Sequence, residues 1–188
     1  MDVLLETERL VLRRFTPADI DNLVELDSDP DVMRFLTGGA PTPREQIENE
    51  LLPRILEEYS VPPGWGRWAA IEKQTGLVVG WFSLDPPKHE AEGLELGYRL
   101  RKVAWGNGYA TEVSRALIDL AFGQPTVQRV FAETMAVNTA SRRVMEKVGL
   151  RHVRTFHLAW DDPIEGTELG EVEYELRRED WARQQRGE

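Results

Sequence analysis

Cysteine is absent from the 188-residue chain. This absence excludes disulfide bonds, thiolate metal sites and any covalent cysteine intermediate, and it fits a reducing compartment. The sequence also lacks any run of about 18 apolar residues, so no membrane span is expected. The opening MDVLLETERL is too short and too charged for a secretion signal. We therefore expect a cytoplasmic protein that does not bind a membrane.

Histidine is scarce, with three residues in the chain. Two of them, His152 and His157, are five positions apart on a predicted strand. Side chains at that spacing point to opposite faces of a strand, so they cannot pair on one metal ion. No metal site is expected.

Basic residues are the minority, 23 against 33 acidic ones, which gives a formal net charge of −10. This balance argues against nucleic-acid binding. Residues 99–154 depart from it, with ten basic and four acidic side chains. A basic segment suits a polyanionic cofactor, and the acidic remainder suits a cationic partner such as an amine. The alternative is a solvated surface with uneven charge.

One stretch, residues 94–122, combines three local patterns. Residues 94–100 alternate apolar and polar side chains, which is typical of a strand. Residues 105–110 form a short loop with two glycines, and residues 111–122 carry apolar residues at helical spacing. The free N–H groups and positive dipole end of such a helix bind anions, and Gly106 and Gly108 let a phosphate approach the backbone. A tight turn in which glycine only relieves strain is the alternative.

The remaining patterns predict an α/β, α+β-like fold with one domain over residues 1–188. No repeat, low-complexity tract or linker interrupts the chain, and the polar tail after about residue 181 is expected to fray. Residues 94–100 and 128–135 flank a helix and predict a right-handed parallel crossover inside a six- to seven-stranded, mixed, mainly antiparallel sheet flanked by helices. The predicted strands cover 9–15, 67–72, 77–84, 94–100, 128–135, 150–160 and 171–176, and the principal helices begin near 16, 42, 111 and 139.

Three parts of the sequence together resemble the GNAT superfamily of N-acetyltransferases. Residues 105–110, WGNGYA, are similar to its acetyl-CoA loop, with Trp105 in a place usually held by Gln or Arg. This variant, followed by Thr-Glu, resembles the RimJ/RimL type of ribosomal-protein N-terminal acetyltransferase. The opening ETERLVLRRFTPADI and the pair NTAS and EKVGL, at residues 138–141 and 146–150, are also similar to that subgroup. The resemblance covers about residues 7–181.

The resemblance implies acetyl-CoA as co-substrate and an acetyl transfer to a primary amine, either a protein N-terminus or a small amine, by direct attack in a ternary complex. It also implies a sheet that splays between strands 94–100 and 128–135. The pantetheine arm would pair with the strand edge at Tyr98, Arg99 and Leu100 and bond Asn138. The pyrophosphate would lie on the backbone N–H groups of Trp105, Gly106, Asn107, Gly108, Tyr109 and Ala110.

The chemistry of acetyl transfer needs a proton acceptor for the amine and a donor for the departing thiolate. Glu95, on the polar face of its strand, is our candidate base, and its alternative role is to position the substrate. His89, in a polar loop, is a second candidate for the base. Where many family members carry a donating tyrosine this chain has Met145, so Ser141 is the candidate donor, unless it only caps its own helix. A thiolate also leaves readily without any acid.

Two aromatic residues, Phe35 and Trp65, are candidates for lining the acceptor pocket, although aromatic side chains are more often core material. An exposed C-terminal strand suggests a homodimer as a hypothesis. Two other functions stay open at this point. One is a non-catalytic CoA-binding sensor, because Met145 cannot donate a proton. The other is a dinucleotide site at the two loop glycines, which the antiparallel sheet order and Thr111 in the third glycine position disfavour.

Overall fold

The computed structural model describes residues 2–60, 65–86 and 93–187, and its central feature is one twisted sheet. Eight strands lie in the spatial order β1-β2-β3-β4-β5-β6-β8-β7. Their bounds are β1 Val3–Glu6, β2 Leu10–Arg13, β3 Gly66–Glu72, β4 Val78–Asp85, β5 Leu94–Leu100, β6 Arg129–Met135, β7 Arg151–Phe156 and β8 Glu171–Arg177.

Helices flank this sheet on both faces. The described helices are α1 Ile20–Ser28, α2 Pro30–Thr37, α3 Arg44–Gln46, α4 Leu52–Glu58, α5 Tyr109–Gly123, α6 Thr139–Lys147 and α7 Arg178–Arg186. A π-helical turn, Ile47–Leu51, separates α3 from α4 just before Pro53. Proline has no N–H for a regular helical hydrogen bond, so Pro53 accounts for this break in the helical segment. Within the described residues, the helices are too short or too polar to cross a bilayer.

The mixed, mainly antiparallel character of the sheet is confirmed, and among the described strands one pair, β5–β6, is parallel. That pair is short: Leu94 faces Val130 and Glu95 faces Phe131, and the two strands then separate. Gly93 marks the start of the pairing, because a Cβ there would lie 2.4 Å from the carbonyl oxygen of Arg129. A residue without a Cβ thus allows the close approach with which this short pairing begins.

Apolar side chains divide into two clusters, one on each face of the sheet. The larger cluster packs α5 and α6 against the sheet through residues such as Val113, Leu117 and Met145. The smaller cluster packs α1 and α4 against the other face through Leu23 and Ile55. Alternation along β5 therefore sends Leu94, Leu96 and Tyr98 toward α5 and α6, and Glu95, Gly97 and Arg99 toward the opposite face.

Three details differ from the sequence-based prediction. The short strand β1 adds an eighth strand, and β7 ends at Phe156, four residues before the predicted end. The prediction of an exposed C-terminal strand was wrong, because β8 pairs with β6 on one side and β7 on the other and so has no free edge on which to pair two protomers. The tail forms the helix α7 through residue 186 instead of fraying. Trp181 holds this helix in place: its ring centre lies 5.3 Å from that of Phe122, and its Nε1 donates to Asp119 Oδ1 at 2.7 Å.

Candidate active site

The gap between β5 and β6 exposes backbone groups of β5 on one side. The N–H of Arg101 donates to the carbonyl of Val79 in β4 at 2.9 Å. Backbone groups alternate along a strand, so residues 95, 97 and 99 also face β4, whereas Leu96 and Tyr98 face β6. Because β6 has diverged by then, the N–H and C=O of Tyr98 point into the gap. A strand-like ligand is what such an edge accepts.

The glycine loop closes one end of this gap. Trp105 donates its indole N–H to the carbonyl of Leu100 at 2.8 Å, which ties the loop to the end of β5. Gly106 and Gly108 have φ angles of +77° and +80°, a conformation that side-chain-bearing residues rarely adopt. A Cβ at Gly106 would meet no described atom within 4 Å. Gly108 is the N-cap of α5, so the first-turn N–H groups of that helix open onto the same space.

Arg9 holds this loop in place, a role that the sequence analysis missed. Its Nη1 donates to the carbonyl of Asn107 at 2.8 Å, and its Nε donates to Glu112 Oε2 at 2.7 Å. The backbone N–H of Arg9 donates to the other oxygen of Glu112 at 2.9 Å. Burial works to raise the pKa of Glu112, but hydrogen bonds from Thr7 and Arg9 outweigh it and lower that pKa. No local pattern marks Arg9, because it lies about a hundred positions from its partners.

Several predicted cofactor residues direct their side chains elsewhere. The hydroxyl of Tyr109 donates to Glu72, and the Arg9 guanidinium lies 4.6 Å from its ring centre. Arg99 pairs with Asp27 on α1. Asn138 caps α6, accepting from the Ser141 N–H at 3.2 Å and donating to Thr134 at 3.1 Å. Tyr109 can therefore offer a cofactor its backbone groups only, and the Arg99 side chain is bound to α1. The Asn138 side chain already forms hydrogen bonds at the start of α6.

Half of the basic side chains in segment 99–154 form ion pairs with carboxylates of the described residues. Lys102 pairs with Asp31, and Arg101 pairs with Glu25 at 3.0 Å. Arg129 and Arg154 both bind Glu173. Lys102, which lies nearest the glycine loop, is among the paired residues, so the loop itself offers backbone N–H groups to an anion.

Tyr98 and Ser141 meet across the gap. The Tyr98 hydroxyl lies 2.9 Å from Ser141 Oγ and 3.2 Å from the Ser141 carbonyl oxygen. Burial raises the pKa of Tyr98 to about 12, although its hydrogen bond to Ser141 works to lower it. The phenol therefore keeps its proton at neutral pH. Met145, four residues further along α6, is 2% exposed and belongs to the core.

Two carboxylates face each other where the strands part. Glu95 pairs with Phe131 across β5–β6, so Glu133, two residues on, lies diagonally opposite on the same face. Glu133 in turn faces Glu173 of β8. Partial burial, then the charges of Glu95 and Glu173, raises the pKa of Glu133. The sequence analysis missed Glu133 because only the register between the strands brings it to Glu95.

A cleft of about 380 Å³ opens at the N-terminus of α6. Phe35 lines it, with the Arg34 guanidinium 5.3 Å from its ring centre, and Asn138 lines the opposite wall. Trp65 packs against the larger core cluster and is not among the described residues that line this cleft. His89, the second candidate for the base, lies outside the described residues. The remaining lining residues are Val137, Thr139, Ala140, Glu165, Gly166 and Glu168.

Carboxylates and histidines do not gather around a cation site in the part of the chain that the structure describes. Three aspartates around the junction of α1 and α2 have separate roles: Asp27 pairs with Arg99, Asp29 caps α2, and Asp31 pairs with Lys102. The functional groups that the described residues bring to this site are backbone N–H groups, carboxylates and hydroxyls.

Comparison with known proteins identifies the class. A family model described as "Acetyltransferase (GNAT) domain" matches residues 9–151. An FsC-acetyl coenzyme A-N(2)-transacetylase of Aspergillus fumigatus is 35% identical over 97% of this chain and 79% of its own. The crystal structure of a GNAT-family acetyltransferase from Bacillus anthracis superposes with a TM-score of 0.73 at 25% identity, covering 93% of this chain and 98% of that one.

A more distant structure shares the fold. It is the aminoglycoside acetyltransferase AAC(6')-Ib in complex with coenzyme A, with a TM-score of 0.72 at 19% identity, over 94% of this chain and 99% of that one. The chain belongs to the GNAT family of acetyltransferases and is an acetyl-CoA-dependent N-acetyltransferase. The single parallel strand pair also removes the dinucleotide-binding alternative, which needs repeated parallel units.

Proposed function

We propose that this enzyme moves the acetyl group of acetyl-CoA directly to a primary amine while both are bound. The observation that carries the proposal is the separation of β5 from β6 beside the loop 105–110. The exposed backbone of Tyr98 offers a strand edge to the pantetheine arm, and the outward N–H of Leu100 extends it; Arg99 joins the two, with its own backbone groups turned toward β4. The open space beside Gly106, next to the first turn of α5, suits the pyrophosphate. Asn138 borders the same gap.

The amine loses its proton to a carboxylate on the face that carries Glu95. Glu95 is the proposed base, and Glu133 supports it. A second negative charge nearby attracts the ammonium form of the acceptor and makes a carboxylate a better base near neutral pH. The raised pKa of Glu133 is consistent with such a site. The deprotonated nitrogen then attacks the thioester carbon.

The sulfur leaves as a thiolate, and Ser141 is the proposed hydrogen-bond donor to it. Ser141 lies in the first turn of α6, where the helix dipole also favours negative charge. Met145 cannot donate a proton and is buried, so it offers no competing route. Glu95 and Ser141 thus approach the reaction from opposite faces of the parted strands.

The acceptor is proposed to be a small amine that binds in the cleft beside Phe35. A volume of about 380 Å³ is in the range of small-molecule sites. The relative in Aspergillus fumigatus is itself named as an N(2)-transacetylase. The resemblance of residues 105–112 to the RimJ/RimL type supports a protein N-terminus as the second acceptor class. The absence of cysteine supports a cytoplasmic location.

The test begins with binding. Calorimetric titration with acetyl-CoA should give a 1:1 isotherm, and a ligand at about 100 times its Kd should add about 2.7 kcal/mol to the free energy of unfolding. NAD should do neither. Acetylation of a panel of small amines and short peptides, read by release of free thiol, then ranks the acceptor classes.

Two variants assign the base. Glu95→Gln should lower kcat about 100-fold or more while acetyl-CoA affinity stays unchanged, because general base catalysis is typically worth that much. Glu133→Gln should lower kcat/KM for the amine by a smaller factor. The exposed Glu57→Gln, at the end of α4, is the control and should change neither constant. Full activity in Glu95→Gln would remove it as the base, and failure to bind acetyl-CoA would remove the whole proposal.

A further inference from the structure

The Tyr98–Ser141 contact fixes a hydroxyl at a position that matters for the proposed reaction. Ser141 is held from two directions: its N–H donates to Asn138 Oδ1 at 3.2 Å, and its Oγ lies 2.9 Å from the Tyr98 hydroxyl. Tyr98 belongs to β5, and Ser141 belongs to α6. The contact therefore spans the gap between the element that offers its edge to the cofactor and the helix beyond it.

Counting hydrogens shows what this contact can do. Each hydroxyl has one hydrogen, and the Tyr98 oxygen can donate to Ser141 Oγ or to the Ser141 carbonyl. When Tyr98 donates to Oγ, the hydrogen of Ser141 is free to turn toward a third atom. A phenol that stays protonated at neutral pH keeps that arrangement available. The reverse arrangement would use the Ser141 hydrogen on Tyr98 and leave nothing for a leaving group.

We propose that Tyr98 is a positioning residue that donates to Ser141 Oγ and thereby directs the Ser141 hydrogen to the departing sulfur of CoA. This inference rests on the proposed function. In the step concerned, the amine nitrogen bonds to the acetyl carbon, the C–S bond breaks, and its electron pair stays on sulfur. The Ser141 hydrogen bond stabilises that pair, and the amine proton goes to the carboxylate face.

The fold supplies a matched control in Tyr174. This tyrosine is also buried in the larger core cluster and also bonds α6, accepting from Arg142 Nε at 3.1 Å and donating to Glu146 Oε1 at 3.1 Å. It has no contact with Ser141. Tyr174→Phe therefore removes a buried hydroxyl bonded to the same helix without touching the proposed donor.

The experiment measures kcat and KM for wild type, Tyr98→Phe, Ser141→Ala, the double variant and Tyr174→Phe. Ser141→Ala should lose about 10- to 100-fold in kcat, the value of a hydrogen bond to a charged group. Tyr98→Phe should lose about 3- to 10-fold, in line with a neutral hydrogen bond. The double variant should equal Ser141→Ala, since Tyr98 acts only through Ser141. Tyr174→Phe should keep wild-type kcat.

A second substrate separates positioning from a structural role. The selenoester analogue of acetyl-CoA releases a more stable, less basic selenolate that needs less stabilisation. With this analogue, the ratio of the wild-type kcat to the Tyr98→Phe kcat should approach one. A misfolded or distorted site would instead lower kcat by the same factor with both esters.

Three results would overturn the inference. They are a double variant slower than Ser141→Ala, an equal loss with both esters, or no loss in Tyr98→Phe. The first would make Tyr98 act independently of Ser141. If the wild-type enzyme binds acetyl-CoA and acetylates an amine, any of these results refutes this inference alone. If the wild-type enzyme does neither, the proposed function is refuted as well.

Discussion

Arg99 reaches from β5 to Asp27 on α1, with 2.5 Å between Nη1 and Oδ1. Asp27 is 2% exposed, and the Arg99 guanidinium also lies 5.3 Å from the ring centre of Trp81. This buried pair ties α1 to the strand that carries both Glu95 and Tyr98. Arg99 lies on the same face of β5 as Glu95, so the pair fixes α1 on the face that carries the proposed base.

Breaking this pair should destabilise the fold. Asp27→Asn leaves the Arg99 charge buried without its partner, and we expect a loss of about 3 kcal/mol in the free energy of unfolding. Urea denaturation measures it. Asp21→Asn, on the same helix, is the control: its pair with Arg44 is exposed and should be worth under about 1 kcal/mol. Equal losses in the two variants would mean that the buried pair contributes no more to stability than the exposed one.

The loop glycines should matter for binding more than for stability. Gly106→Ala places a Cβ at a φ of +77°, at a backbone cost of about 1–2 kcal/mol, and fills the space proposed for the pyrophosphate. We expect acetyl-CoA affinity to fall at least about tenfold, or ~1.4 kcal/mol, by calorimetry. Gly76→Ala has a φ of +72° and equally open surroundings in the β3–β4 turn. It should lose similar stability and no affinity, and a matching affinity loss there would refute the assignment.

Arg9 should contribute to affinity by keeping the loop ordered before the cofactor arrives. Arg9→Met removes its bonds to Asn107 and Glu112, so part of the ordering cost shifts to the binding step. We expect acetyl-CoA to bind about three- to tenfold more weakly, with kcat little changed. Arg183→Met, which removes an exposed pair with Asp180 on α7, should bind normally. Unchanged affinity in Arg9→Met would show that the loop holds its shape without it.

Alkali should destabilise the protein through two tyrosines. Burial raises the pKa of both Tyr59 and Tyr98 to about 12. Above pH 10 these groups ionise in the unfolded chain but stay protonated in the folded one, so stability is present below pH 10 and is lost as pH rises toward 12. The slope is about 1.4 kcal/mol per pH unit for each fully responding group.

Urea denaturation at pH 9, 10 and 11 should show this decline, and Tyr59→Phe should flatten it. That variant also loses bonds to Phe15 and Arg67, so its stability at pH 9 will be lower. The informative quantity is the slope with pH. An unchanged slope in Tyr59→Phe would mean that this phenol titrates alike in both states.

Local patterns were enough to predict the strand–loop–helix unit and the crossover, because alternation, helical spacing and glycine punctuation act over a few residues. Glu95 was assigned its face from the same alternation. Arg9 and Glu133 were missed, since each acquires its role only through partners that the sheet brings near. The contact of Tyr98 with Ser141 depends on how α6 packs, which no spacing encodes. The tail after about residue 181 was predicted to fray because its sequence is polar, and the hydrogen bonds of Trp181 and Gln185 to Asp119 depend on how α7 packs on α5.

The loop 105–110 and the cleft at α6 use different parts of the polypeptide. Contacts proposed for the cofactor come mostly from main-chain groups, which every residue type supplies. The cleft is built from side chains of α2, the start of α6 and residues 165–168. If the cleft holds the acceptor as proposed, substitutions at positions such as Phe35 and Glu168 would change which amine binds, whereas main-chain contacts with the acetyl donor would be retained.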